Sequence, residues 1–357
     1  MPPCLRVRNY RNMFLTICLN PTIQKTLCFD SIVPGTVNRT ANHRFDVSGK
    51  GINVTRVLTQ LGKKVVHLTQ LGGDMRPLFL SLCEQDELSV DWVESNSQIR
   101  FCYTLLTPDD VTELVEESES VAAETEKLLL EKFDKLIGEN LSFANCSLLP
   151  DNCSLSNVPC SLITDNCSLL PDNCSLSNVH CLIISGTKAA GFSDTLIPDM
   201  VRKAKEKGIG IVLDIKGNDL IQSLKHEPDI VKPNLFEFAS SFAPQLIRNN
   251  NFTIEDIMAK EQIKSIMLEM AQKYRCCIIL TNGSREIIAA DKKEFFEIKF
   301  EPVRVVNSIG CGDAFTAGLA AALFSEHKKN SDLNIAINEG IRCGSLNAGL
   351  LKPGVIR

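Results

Sequence analysis

Asn307-Ser308-Ile309-Gly310-Cys311-Gly312-Asp313-Ala314-Phe315 runs from the end of an extended apolar pattern directly into an alanine-rich helical one. Two glycines two positions apart let the backbone turn sharply with its N–H groups directed inward, and the helix that follows turns its positive end toward the same point. An anion can rest there. Asp313 is placed to accept the proton of an attacking hydroxyl while those N–H groups hold the charge that develops. The plain structural reading of the same residue is a helix N-cap, so the stretch gains functional weight from motifs elsewhere in the chain.

Outward from this turn, helix-like runs precede strand-like runs: 52–61 before 64–68, 195–207 before 209–215, and 254–274 before 276–281. A further strand pattern occupies 14–19. Alternation of this kind builds parallel strands with helices on both faces. Val54, Val57, Leu58 and Leu61 fall on one helix face, and Val212 and Leu213 suit a strand buried on both sides. The expected fold is therefore α/β with a central, mostly parallel sheet, whose ligands gather at the carboxyl ends of its strands. Shorter extended pieces within 22–46, with Pro34-Gly35 as a turn, and from 99 onward predict a small second sheet.

The 357 residues include 38 basic and 43 acidic side chains, a formal net charge of −5. No stripe of Lys and Arg follows a phosphate backbone, so nucleic acid is not an expected partner. Apolar runs fall well short of the roughly 20 residues that cross a bilayer, so no membrane partner is expected and the location is expected to be cytoplasmic. Residues 1–12, with Arg6, Arg8 and Arg11 and no acid, read as an extension outside the fold, with Met13 as the first folded residue. The 15 cysteines read as reduced thiols, because a chain of this length does not need disulfide staples. Six of them, Cys146, Cys153, Cys160, Cys167, Cys174 and Cys181, recur every seven residues within 145–181. Units such as Asn145-Cys146-Ser147-Leu148-Leu149-Pro150-Asp151 are rich in turn formers, which argues against a coiled coil, and the even spacing argues against zinc. The repeat is expected to be an insertion looping from the surface.

Three more motifs accompany the first. Ser48-Gly49-Lys50-Gly51-Ile52-Asn53-Val54 is a glycine-rich turn opening an amphipathic helix, with Lys50 as a point charge for phosphate and Asn53 as donor and acceptor for hydroxyls. In Lys232-Pro233-Asn234-Leu235-Phe236-Glu237, Asn234 and Glu237 share one face of a first helical turn, where they suit magnesium-bound water; the plain alternative is that Glu237 complements the helix dipole. Thr281-Asn282-Gly283-Ser284 follows an apolar strand as a turn suited to phosphate.

In this order and spacing the four motifs resemble those of the PfkB branch of the ribokinase-like sugar kinases, over residues 13–354 apart from the repeat. Leu15-Thr16-Ile17-Cys18-Leu19-Asn20-Pro21, the block 49–62, and Thr112-Glu113-Leu114-Val115-Glu116 are most similar to the hexose-phosphate kinases, 1-phosphofructokinase and tagatose-6-phosphate kinase. The resemblance implies one kinase domain over 13–357, a Rossmann-like ribokinase fold, and a β-sheet lid mainly within 22–46 and 99–116 that often joins two subunits as a homodimer. It implies ATP and magnesium as cofactors and a sugar phosphate as the other small-molecule partner. Asp313 would be the base, and Gly310, Cys311 and Gly312 the anion hole. Gly49, Lys50, Gly51 and Asn53 would bind sugar, and Arg100 the phosphate already on it. Lys232, Asn234, Glu237, Thr281 and Gly283 would serve nucleotide and magnesium, the metal being held through phosphates and water near Glu237. Gln24 stands where the family has an Asp that binds sugar hydroxyls, Asn307 replaces another Asp, and Cys311 interrupts the usual Gly-Ala-Gly-Asp. The implied reaction is ATP-dependent phosphorylation of a ketohexose phosphate, foremost D-fructose 1-phosphate to fructose 1,6-bisphosphate. Tagatose 6-phosphate as acceptor, or a catalytically weakened sugar-phosphate-binding or regulatory protein, are the alternatives.

Overall fold

The computed structural model describes residues 13–138, 179–247, 257–324 and 332–357. Along the first half run β1 (Met13–Ile17), β2 (Thr22–Cys28), β3 (His43–Ser48), α1 (Lys50–Gln60), β4 (Val65–Gly72), α2 (Arg76–Gln85), β5 (Val90–Ser95), β6 (Arg100–Leu106), β7 (Val111–Val115) and α3 (Ala123–Leu136). The second half continues with β8 (Val179–Ser185), α4 (Leu196–Glu206), β9 (Gly210–Asp214), α5 (Gly217–Ser223), β10 (Ile230–Val231), α6 (Leu235–Phe242) and α7 (Ile257–Tyr274). It ends with β11 (Cys277–Leu280), β12 (Ile287–Ala290), β13 (Phe295–Ile298), α8 (Cys311–Leu323) and α9 (Leu333–Ala348).

Every residue of β1 is buried, the one polar residue, Thr16, with its hydroxyl 2.6 Å from Thr55 Oγ1. Met13, Leu15 and Ile17 enter one core layer and Phe14 the other. This strand lies within a nine-stranded sheet of order β13-β12-β11-β10-β9-β8-β1-β4-β5. All neighbours from β5 to β11 pair in parallel, and β12 and β13 add antiparallel strands at one edge. Phe133, Met200, Phe238 and Met267 bring α3, α4, α6 and α7 onto one face; Val57, Ala317 and Ile337 bring α1, α8 and α9 onto the other. The alanine-rich sequence of α8 follows from its place: residues Asp313 through Ala321 are all buried, and a helix apolar on every side belongs in a core.

The small sheet has the order β3-β2-β6-β7. Ile23 and Val47 anchor it to Ile52, Leu71 and Phe79, while Thr22, Gln24 and Cys102 point to its other face. The observed architecture is thus a large, mostly parallel sheet flanked by helices with a second small sheet.

One expectation needs correction. The seven-residue period puts the repeat on the surface through Cys181, yet Val179–Ser185 is a strand of the large sheet, and Cys181, opposite Phe14 and Gly210, is fully buried. The apolar run from Cys181 to Ile184 is worth more inside the sheet than the seven-residue period is outside it. The rest of the repeat, and the extension 1–12, lie outside the described residues. The described cysteines are free thiols, and no described helix is long and apolar enough to cross a membrane.

Candidate active site

The carboxyl ends of β9 and β10 and the amino ends of α1, α6 and α8 open into one cleft of about 680 Å³. It is roofed by Thr22, Gln24, Arg100 and Glu113 of the small sheet. Such a meeting point follows from the parallel topology, which turns strand ends and helix starts the same way.

Gly310 is the N-cap of α8, in the left-handed conformation at φ +84°. A Cβ there would lie 2.9 Å from Gly354 N and 3.1 Å from Asn347 Oδ1, so no side chain fits. Asn307 shapes the approach to the turn: its Oδ1 accepts from Ile309 N at 3.0 Å and its Nδ2 donates to Leu351 O at 2.8 Å. Asp313 is therefore not the cap. It sits in the first turn, 6% exposed, and its Oδ2 accepts from Asn53 Nδ2 at 2.8 Å. Burial pushes its carboxyl up to about 6, with Asp214 adding to the shift and Lys50 opposing it.

Asp214, which closes the apolar run of β9, is the charged centre of the site and was not singled out from the sequence. An acid at the carboxyl end of a buried parallel strand was the available signal. Lys232 Nζ lies 3.3 Å from its Oδ2, Lys50 Nζ lies 3.4 Å from its Oδ1, and Thr316 Oγ1 donates to it at 2.8 Å. Burial alone would raise this carboxyl, but Lys232 and then Lys50 outweigh burial and hold it below the usual carboxylate range. Lys50 also reaches Glu237 Oε1 at 3.1 Å. Burial lowers its ammonium's pKa, and Asp214 and Glu237 more than reverse this, so the group stays charged.

The sequence-predicted residues divide by what they touch. Gln24, Gly49, Lys50, Asn53, Arg100, Lys232, Asn234, Glu237, Thr281, Gly283, Gly310, Cys311, Gly312 and Asp313 all line the cleft. Gly51 does not: a Cβ there would meet Cys18 Cβ at 2.7 Å and His67 Cε1 at 2.9 Å, so its role is close packing of α1 on the sheet. Asn234 is the extended N-cap of α6 and only Glu237 lies in its first turn; the two face each other in a capping box, Glu237 N donating to Asn234 Oδ1 at 2.7 Å and Asn234 N to Glu237 Oε2 at 3.0 Å. Lys232 is 2% exposed and committed to Asp214. Ile287, Phe300, Val303 and Ile341, which no motif indicated, give the cleft apolar walls.

Gln24 faces the cleft with both ends of its amide engaged: Ser48 Oγ donates to its Oε1 at 2.7 Å and its Nε2 donates to Thr104 Oγ1. Gln24→Asp removes the donor to buried Thr104 and shortens the reach to Ser48. The expected result is a loss of about 1–3 kcal/mol of stability and no gain in kcat/KM for any sugar phosphate, read from urea unfolding and steady-state kinetics. A stable variant with improved kcat/KM would show instead that residue 24 serves substrate directly.

Comparison with known proteins bears on family and fold. A family model described as pfkB family carbohydrate kinase matches residues 11–160 and 164–354. Phosphofructokinase-2 from Escherichia coli, solved with potassium, superposes with a TM-score of 0.73 at 17% identity, covering 96% of this chain and 94% of that one. A possible 1-phosphofructokinase from Thermotoga maritima gives 0.72 at 17% identity over 94% and 92% of the two chains. Ribokinase from Thermotoga maritima gives 0.61 at 14% over 97% and 95%. At these identities the likeness to the solved structures is one of fold.

Proposed function

Because the chain belongs to the pfkB family of carbohydrate kinases, we propose that its cleft moves the γ-phosphoryl group of ATP to a hydroxyl of a ketohexose phosphate, converting D-fructose 1-phosphate to fructose 1,6-bisphosphate. The observation that carries this reading is the buried carboxylate of Asp313, held by Asn53 at the start of α8, in the same cleft as Arg100. One supplies a base for a hydroxyl and the other a cation for a phosphate already on the sugar. The similarity of the Gly49-Lys50-Gly51-Ile52-Asn53 block to hexose-phosphate kinases favours a phosphorylated acceptor.

With a carboxyl that titrates near 6, Asp313 is mostly ionised at neutral pH. It takes the hydroxyl proton as the hydroxyl oxygen forms its bond to the γ-phosphorus, and the bond from that phosphorus to the bridging oxygen breaks, leaving ADP. Cys311 N donates to Ser308 O at 3.4 Å, while the N–H groups of Gly312 and Asp313, in the first turn of α8, have no acceptor within the helix and would hold charge on the transferring group. Lys50 adds positive charge beside it. The small sheet over the cleft keeps water from competing with the sugar hydroxyl. Among the described residues no cluster of His, Cys, Asp or Glu side chains can hold a metal alone. A carboxylate has about four lone-pair sites, so Glu237, bonded once at each oxygen, fits a magnesium ion held mainly by phosphates and water. Magnesium would supply neutralisation of phosphate charge.

ADP release is to be compared across fructose 1-phosphate, fructose 6-phosphate, tagatose 6-phosphate, ribose and adenosine. Fructose 1-phosphate should give the highest kcat/KM; a different best acceptor moves the substrate assignment, and no ADP release with any of them removes the kinase reading.

Arg100 is held by Thr22 Oγ1 and Glu116 O, both at 3.1 Å. Arg100→Ala should raise KM for the sugar phosphate by about 10- to 100-fold, the equivalent of about 1.5–3 kcal/mol for a hydrogen bond to a charged group. KM for ATP should hardly change, and an equal rise in both constants would contradict a phosphate-gripping role. The opposite face of the small sheet aligns Phe45, Lys25, Tyr103 and Leu114 across its strands, with Phe45 and Leu114 exposed. We assign this row to a homodimer contact, and Leu114→Glu should convert a dimer to a monomer in sedimentation velocity; an unchanged sedimentation coefficient counts against it.

A further inference from the structure

Asn53 holds the proposed base, and Asn53 is itself held. Its Oδ1 accepts from Arg56 Nη1 at 3.0 Å while its Nδ2 donates to Asp313 Oδ2 at 2.8 Å. A terminal amide can be turned either way round. A guanidinium only donates, so with Arg56 on the oxygen side the NH₂ group must face the carboxylate.

Arg56 is 3% exposed and anchored at every nitrogen. Its Nε donates to Asp86 Oδ2 at 2.9 Å, its Nη2 to Val47 O at 2.7 Å, and its Nη1 also to Pro353 O at 2.8 Å. Asp86 is shared with Lys352, which lies 3.5 Å from Asp46 of β3 as well. Gly354 closes the arrangement: a Cβ on it would stand 2.8 Å from Asn53 Cα and 3.0 Å from Arg56 Nη1. Three distant pieces of chain, β3, the cap that follows α2 and the segment after α9, thus meet on one guanidinium.

We infer that Arg56 is a positioning residue for the base: it fixes the Asn53 amide with its NH₂ toward Asp313 and so keeps a hydrogen bond on the carboxylate that accepts the substrate proton. The inference rests on Asp313 being that base. No matched motif assigns Arg56 a part in the site; on sequence it is one polar residue in an amphipathic helix. The charged and titratable groups around Asp313 are Lys50 from α1, Asp214 from β9, Lys232 after β10, Cys311 on α8 and Cys18 after β1. Arg56 acts on it through Asn53.

A donor to the ionised form favours that form. Without it Asp313 holds its proton to higher pH, and a base that must be ionised then works over a narrower range. The test is the pH dependence of kcat for the full chain, with ATP and the best acceptor of the panel, for Arg56→Met, Arg56→Lys, Asp86→Asn and Asp313→Asn. In both Arg56 variants the acid limb should move up by about one pH unit, a tenfold change in ionisation, with KM for ATP unchanged. Lysine keeps the stem and the charge but cannot serve these acceptors at once, so it carries the test where methionine prevents folding. Asp86→Asn should lower Tm and leave the acid limb in place. An unmoved limb in the Arg56 variants, or an equal shift in Asp86→Asn, overturns the inference. Asp313→Asn separates the two claims: if it keeps turnover the base assignment fails, and if it is inactive while the Arg56 limb is unmoved, only the positioning role fails.

Discussion

Replacing Asp313 with asparagine should lower kcat by about 10²- to 10⁴-fold and, at neutral pH, make the folded protein more stable. The loss of turnover follows because an amide cannot take the hydroxyl proton, although its oxygen can still accept from Asn53. The gain in stability follows from linkage. Burial raises the folded carboxyl from 3.8 to about 6, so the folded state prefers the protonated form. Its favourable contribution is fully present below about pH 4 and is lost as pH rises through about 6. Asparagine never ionises and avoids that loss. A shift of about two units corresponds to about 3 kcal/mol at most. Urea unfolding of variant and parent from pH 4 to 8 should therefore show a gap that opens through pH 6, beside an acid limb near 6 in the parent's kcat/KM. Near-parental kcat would remove Asp313 as the base. A gap that does not change with pH would remove its raised pKa.

The second large effect is at Asp214, which is 1% exposed and faces Lys232, itself 2% exposed. Asp214→Ala leaves that ammonium buried and uncompensated, and breaking such a pair costs about 3–5 kcal/mol. The pH dependence has the opposite sign to that of Asp313. Because the two lysines hold this carboxyl below its usual value, its contribution is present above about pH 4 and fades as pH falls through the lower folded value. Removing both charges together, as Asp214→Leu with Lys232→Met, should restore most of the lost stability without restoring activity, since Lys50 has also lost a partner. Chemical unfolding at pH 7 decides it: a single variant within about 1 kcal/mol of the parent would mean that water already solvates the pair.

Much of the fold was legible because its signals are local. The alternation of helix-like and strand-like runs, and the unbroken burial implied by Ile211-Val212-Leu213, are encoded within a few residues of each other. The turn at Gly310 was legible for the same reason: a glycine able to adopt positive φ ahead of an alanine-rich run has few structural meanings. The error at Cys181 was of the opposite kind. A seven-residue period extends through that residue, and only pairing with Phe14 and Gly210 reveals that the sheet has claimed it.

The site was legible as a set of motifs and illegible as a network. Gly51 reads like its neighbours in the glycine-rich block, but its backbone packs on Cys18 and His67. Sequence by itself determined the parallel α/β architecture and the positions where strands give way to helix starts, since periodicity and glycine freedom act over one or two turns. Tertiary structure alone decided the partners of the buried charges. Lys50 meets Asp214 and Glu237 across 164 and 187 residues, and Asn53 meets Asp313 across 260. The strength of those pairings, and the proton affinity of Asp313, depend on distance and exclusion of water, which exist only once the chain has closed around them.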